Sequence, residues 1–416
     1  MTIATGATWA IAGLSTAGVI TRPMRWPEWI WAVTGALLLL GLGLMPVQAA
    51  AGAVAKGLDV YLFLIGMMLL SEAARENGVF DWVAATAVNS AGQSTSRLFL
   101  LVYATGVIVT TFISNDATAV VLTPAVFAVA KRAKAEPLPL LFACALVANA
   151  ASFVLPISNP ANLVLYGGHM PPLGQWMGSF ALPSLASIVV TFAVLRVVER
   201  RRLSGQCGGK VDRPRLSTGG KAAFSAIGLT AILLLAMSAL DRPLGLPTAI
   251  AGIATALGVS ALARRSPVSL VRSVSWGVLP LVAGLFVLVE ALDRTGVIDM
   301  VAEAIRHAAR EPTRAAAVSG TILAFASNLM NNLPAGLVAS TAIAQAAPPR
   351  IVTDGLLIGV DLGPNLSVTG SLATILWLQA IRREGEDVTF VAFLKVGSVA
   401  MPLALLAALG TRLLIG

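Results

Sequence analysis

Charge is scarce in this chain: only 12% of its 416 residues are Asp, Glu, Lys or Arg, against roughly 25% in a soluble domain. A water-exposed surface cannot be built from so little charge, so most of the surface must face lipid. Cysteine and histidine number two each. Cys144 lies in an apolar run and Cys207 in a polar loop, so neither a disulfide nor a metal or redox motif is expected. There is no Cys/His zinc constellation and no G-x-S-x-G nucleophile elbow. A G-x4-G-K-[ST] phosphate loop is also missing, because Gly-Gly-Lys at 208–210 and 219–221 lacks the upstream Gly and the following Ser or Thr. The chain therefore reads as no enzyme, with no cofactor, and ion or proton gradients remain as its energy source. The N-terminus lacks a basic start, a short apolar core and an A-x-A site, so no cleaved signal peptide is expected.

What is abundant is apolar. Hydrophobic residues make up 57% of the chain and the mean hydropathy is +0.84. A spanning helix needs about 20 apolar residues, which leaves room for about ten spans. The 38 Gly and 22 Pro predict helix breaks inside them. In lipid, such breaks survive only where protein or a water-filled cavity satisfies the freed backbone groups. The net charge of +9 does not point to nucleic acid, because the basic residues sit in short loops between apolar runs.

The apolar runs fall into two halves with one pattern. Gly66, Glu72, Gly78-Val79 and Asp81 recur 218 positions later as Gly284, Glu290, Gly296-Val297 and Asp299. Asn115-Asp116 matches Asn331-Asn332, and Ser158-Asn159-Pro160 matches Gly370-Ser371-Leu372. The reading is an all-α membrane protein of two inverted repeats, residues 1–198 and 222–416, joined by a cytoplasmic linker at 199–221. Each repeat has a re-entrant helical hairpin (97–132 and 314–347) and a broken helix (137–167 and 354–380). Five crossings per half place Arg22, Arg25, Arg75, Arg97, Lys131, Arg132 and Lys134 on one side, together with the basic linker that includes Lys210. Arg264-Arg265 and Arg382-Arg383 join them, so that side is the cytoplasm. One loop fits badly: 293–314 would be external yet carries Arg294, Arg306, Arg310 and Arg314. Odd crossings per half make the repeats inverted, which places substrate near the bilayer midplane.

Four polar clusters interrupt the apolar surroundings: Ser114–Thr118, Ser158–Asn162, Ser327–Pro334 and Asp361–Thr374. Pro and Gly stop a helix, while Asn, Ser and Asp cap its exposed ends. Capping alone would account for any one cluster; four at symmetric positions point to a shared solute site. The candidate substrate-binding residues are Asn115, Asp116, Asn159, Asn162, Asn331, Asn332, Thr369, Ser371 and Thr374. An intramembrane acid costs about 2.5–3.5 kcal/mol on insertion scales, which marks Asp116 and Asp361 as candidate proton carriers. Glu72 and Glu290 read as structural, with Arg75 and Arg294 as candidate partners. His169 and His307 read as loop or interfacial residues, and Met67-Met68 as packing.

At these clusters the chain resembles the arsenite/antimonite efflux permeases of the ArsB type, within the ion transporter superfamily. The resemblance rests on Ser-Asn-Asp-Ala-Thr-Ala-Val-Val-Leu-Thr-Pro (114–124) and Leu-Met-Asn-Asn-Leu-Pro (329–334). Phe-Ala-Cys-Ala-Leu-Val-Ala-Asn-Ala-Ala-Ser (142–152) is similar too, and the most specific match is Asp-Leu-Gly-Pro-Asn (361–365) with Gly-Ser-Leu-Ala-Thr-Ile-Leu-Trp-Leu (370–378). It implies export of trivalent arsenic or antimony from the cytoplasm, driven by proton entry across a cell's inner membrane. It also implies hairpins that meet broken helices at the substrate site. Some members work with an arsenite-stimulated ATPase subunit, and superfamily relatives are often homodimers. The chain departs from the family pattern at Ala117, where Gly is common, and at Asn365, where the family-like sequence is Gly-Pro-Lys. Ser367-Val368-Thr369 replaces Thr-Pro-Ile. The alternatives are a sodium/proton antiporter or a sodium-coupled carboxylate carrier of the same superfamily. A non-transporting membrane protein or a lipid-modifying enzyme fits less well.

Overall fold

The structure, a computed structural model, describes residues 2–167, 170–208 and 211–416, without the Arg25 side chain. His169 and Lys210, named above, lie outside the described residues.

Apolar runs become helices because lipid offers no hydrogen bonds, so each backbone group must be satisfied within its own segment. The first half comprises α1 (Ile3–Thr21), α2 (Glu28–Gly41), α3 (Val47–Lys56), α4 (Leu58–Glu76), α5 (Val79–Ala91), α6 (Thr95–Phe112), α7 (Asn115–Ala117), α8 (Thr123–Arg132), α9 (Pro137–Ala150), α10 (Pro160–Tyr166) and α11 (Leu173–Val198). The second comprises α12 (Thr218–Ala239), α13 (Gly245–Leu262), α14 (Pro267–Ser273), α15 (Val278–Asp293), α16 (Val297–Ala308), α17 (Pro312–Met330), α18 (Asn332–Ala346), α19 (Arg350–Leu362), α20 (Leu372–Arg383) and α21 (Phe390–Leu414). A π-helical turn at Thr118–Leu122 joins α7 to α8; with these taken as one helix, the two halves carry the same order of elements.

Six helices (α1, α6, α11, α12, α13 and α21) are long and apolar enough to cross a bilayer alone, and the bent pairs α3–α4 and α14–α15 raise the number to eight among the described residues. The sequence pointed to about ten. The difference has three parts: the broken-helix segments α9, α10, α19 and α20 have 14, 7, 13 and 12 residues and cannot span singly, α2 has only 14, and α6, expected within a re-entrant hairpin, is itself long enough to cross. The hairpins are α6–α8, turning at Ile113–Ser114, and α17–α18, turning at Asn331.

The halves interlock. Helix α4 packs on α13, and its counterpart α15 packs on α2. A Cβ added at Gly66 would collide with the Thr248 carbonyl, and one at Gly284 with the backbone of Ala32. The repeated glycines are therefore the points where helix backbones touch, which only small residues allow. The last helices of each half, α11 and α21, pack on each other. Because α12 begins at Thr218, the linker is slightly shorter than expected, and it is tied down. Gly205 accepts a bond from Thr95 Oγ1 (2.8 Å), and Val211 exchanges two backbone bonds with the Asn89 amide (2.9 and 3.0 Å). Arg202 Nε reaches Glu136 at 3.0 Å.

Candidate functional site

Each polar cluster does local work first. Ser114 Oγ accepts from Ala117 N at 3.1 Å and starts the helix that runs through α7 and α8. Asn159 Oδ1 accepts from Ala161 N at 3.0 Å and starts α10, with Pro160 in its first turn. Asn331 Oδ1 accepts from Leu333 N at 3.3 Å and starts α18. Ser371 Oγ accepts from Thr374 N at 3.1 Å and starts α20. These caps satisfy N–H groups that a helix start leaves free.

The four helix starts meet. A pocket of about 20 Å³ is lined by Asn115, Asp116, Asn159, Pro160, Asn332 and Ser371, with apolar neighbours such as Leu64 and Val278. A cavity needs about 10–15 Å³ to hold a water, so this space suits a group of that size. No Lys, Arg or His is among its lining residues. Four positive helix ends and one carboxyl, that of Asp116, set its field.

A second, partly open cavity of about 630 Å³ shares Leu64, Asp116, Pro160 and Val278 with this pocket. Ser114, Asp116 and Pro160 line it, together with residues of α4, the α7–α8 arm and α20. Glu72, Arg75, Asp81, Arg383 and Glu384 also line it. Glu72 is held by Arg75 (Nε to Oε2, 2.9 Å). Its counterpart Glu290 is held by Lys56 (2.8 Å) and Arg294 (3.2 Å), so both acids are fixed in ion pairs at helix ends. Asp116 borders both spaces, and its carboxylate accepts no hydrogen bond from the described residues.

The other candidates stand behind the pocket. Asp361 is fully buried and lines neither space; its Oδ1 accepts from Asn159 Nδ2 at 2.7 Å and its Oδ2 has no partner. Asn162 Nδ2 donates to the carbonyls of Ser152, Leu155 and Pro156 (2.9, 3.4 and 3.3 Å), stapling the α9–α10 break. Asn331 Nδ2 reaches the Thr369 carbonyl at 3.4 Å, and Thr369 Oγ1 donates to the Asn328 carbonyl at 3.1 Å. The Thr374 hydroxyl meets that of Ser371 at 2.5 Å. Asn365 bridges the two broken helices: Nδ2 donates to the Leu146 carbonyl (3.0 Å) and Oδ1 accepts from Asn149 Nδ2 (3.0 Å).

Sequence reasoning missed Asn149 and a buried ion pair at the far end of the same helices. Asp354 of α19 and Arg412 of α21 form it, and Tyr166 of α10 donates to Asp354. An acid and an arginine within apolar runs were the available signal.

Comparison with known proteins agrees with this architecture. A family model described as "CitMHS: Citrate transporter" matches residues 17–368. The arsenical pump membrane protein of Escherichia coli is 25% identical over 402 residues, covering 92% of this chain and 93% of the relative. That of Yersinia enterocolitica is 27% identical over 367 residues, covering 84% and 85%. An uncharacterized transporter of Mycobacterium tuberculosis is 24% identical over 397 residues, covering 90% of each chain. Among solved structures, the Alcanivorax borkumensis YdaH transporter superposes with a TM-score of 0.58 at 16% identity, over 88% of this chain and 86% of that one. Neisseria gonorrhoeae MtrF, described among antimetabolite efflux pumps, gives 0.53 at 13% identity, over 92% and 84%. These two show a shared fold. The interlocked halves, the two hairpins and two broken helices, and the length of the family match make the chain a secondary membrane transporter that belongs to the citrate-transporter (CitMHS) family.

Proposed function

We propose that this protein exports trivalent arsenic (arsenite, and also antimonite) from the cytoplasm in exchange for protons, by alternating access between two inverted repeats. The pocket where four capped helix starts meet carries this reading. It is lined by neutral amides and a hydroxyl, has one free carboxyl, and shares Asp116 and Pro160 with the larger cavity. Trivalent arsenic near neutral pH is mainly a neutral trihydroxide, which such groups can surround without a fixed positive charge. Asp116 faces both the pocket and the open cavity, so it can exchange a proton and a solute in alternation. The arsenical pump membrane proteins among the relatives support the same choice. Thiolate ligation does not enter, since Cys144 and Cys207 line neither space.

A carboxylate carrier is the second reading, favoured by the description of the family model and by the affinity of helix N-termini for anions. The absence of a lining cation weighs against it. The test is arsenite uptake into everted vesicles under an imposed pH gradient, with and without sodium, alongside labelled citrate. Uptake of arsenite that needs the pH gradient and ignores sodium is the expected result. Citrate uptake without arsenite uptake would replace this reading with the second. The double variant Cys144→Ser, Cys207→Ser should transport within about twofold of the parent chain, as removing inert buried thiols allows.

A further inference from the structure

Helix α10 has seven residues, from Pro160 to Tyr166, between an Asn159 cap and Gly167 in the left-handed region (φ 56°). A helix this short has little stability of its own, so outside contacts fix its position. Two of them involve acids of one helix. At the pocket end Asn159 Nδ2 donates to Asp361 Oδ1 at 2.7 Å; at the far end Tyr166 OH donates to Asp354 Oδ1 at 2.8 Å. Asp354 and Asp361 are two turns apart on α19, hence on one face of it. Both are fully buried.

Asp354 is anchored in turn. Its Oδ2 accepts from Arg412 Nε (2.9 Å) and lies 2.8 Å from Arg412 Nη2, on α21. Arg350 Nε stands at 3.7 Å, and that guanidinium donates to the Gln175 side chain (2.6 Å) and backbone (2.8 Å) on α11. The first half has an uncharged tie between α9 and the other half's short broken-helix segment. There, Trp377 of α20 donates to the Leu141 carbonyl at 3.0 Å. An apolar arrangement therefore suffices for packing, and a buried ion pair costs desolvation that packing does not require.

We infer that Tyr166, Asp354 and Arg412 are positioning residues for the solute site. They tie the far end of α10 to the α11–α21 pair and thereby set where Asn159 and Pro160 stand in the pocket. The inference rests on the transport reading above for its affinity readout only.

The experiment uses the full chain with Cys144 and Cys207 replaced by Ser. Pro160→Cys reports the start of α10 and Leu376→Cys, on α20 in the same cavity, serves as reference. Tyr166→Phe removes one hydroxyl. It should change the maleimide labelling rate of the Pro160 reporter by about threefold or more, of the order one lost hydrogen bond allows, and leave the Leu376 reporter unchanged. The same substitution should raise the half-saturating arsenite concentration about fivefold, with a smaller change in maximal rate. The charge-free pair Asp354→Asn, Arg412→Gln should act in the same direction. Equal change at both reporters, or none at either with only a lower unfolding temperature, would overturn the inference in favour of a merely structural tie. Labelling needs no solute, so a chain that moves no arsenite would sink the function reading while the tie is still tested.

Discussion

Asn159 and Asp361 are 202 residues apart in the chain and 2.7 Å apart in space, joining the broken helix of one half to that of the other. The bond separates the roles of the two intramembrane acids. Asp116 borders both cavities, whereas Asp361 is sealed behind the pocket with one oxygen unpaired.

Both Asp116→Asn and Asp361→Asn should reduce proton-driven uptake to background while insertion stays normal. The Asp361→Asn side chain can still accept from Asn159, so it removes titration and keeps the tie. If proton exchange drives uptake as proposed, flux should fall as the pH on the external face of the protein, the lumen of an everted vesicle, rises and the carboxyl can no longer load. Measuring pH-gradient-driven flux in vesicles checks this; coupling at parental level in both variants would remove these acids from the mechanism.

Asn331 caps α18 with φ +73° and ψ 152°, a region that glycine alone enters without strain. The equivalent cap in the first hairpin, Ser114, is extended. Asn331→Gly should relieve about 1 kcal/mol of strain, since glycine tolerates positive φ and serves nearly as well at a cap. Asn331→Ala keeps the strain and loses the cap, so it should destabilise by about 1–2 kcal/mol. Thermal unfolding of the detergent-solubilised protein reads the difference. A less stable Gly variant would show that the contact to the Thr369 carbonyl outweighs the strain.

Much of this was legible because the constrained residues are local in sequence. Gly66 and Gly284 mark the repeat since a side chain at either would meet the backbone of a neighbouring helix. Ser114, Asn159, Asn331 and Ser371 betray the breaks because a cap and its helix start are contiguous. Composition does not say which polar residue faces the pocket and which staples a loop. Asn162 and Thr369 have the same chemistry as Asn115 and Ser371 and stand behind them. The Asp354–Arg412 pair was hidden for a different reason. Its members lie 58 residues apart in two apolar helices, and only tertiary packing brings them together.

The two halves differ most where one of them is open. In the first, the large cavity separates α4 from the α7–α8 arm, with Arg75 and Ala128 on its walls. In the second, α15 packs directly on α18, and Gln345 Nε2 donates to Asp293 Oδ1 at 2.8 Å. Asp293 is the residue 218 positions after Arg75. Inverted repeats that exchange these two arrangements would close one face as they open the other. Joining α15 to α18 should therefore stop transport without closing the open cavity. In the chain lacking Cys144 and Cys207, Asp293→Cys with Gln345→Cys, bridged by a short cleavable bis-thiol reagent, should lose arsenite uptake and regain it on reduction. A Ser71→Cys reporter in the cavity wall, added to the chain after bridging, should label at the rate seen without the bridge. Transport that continues in the bridged protein would mean that α15 and α18 do not part during the cycle.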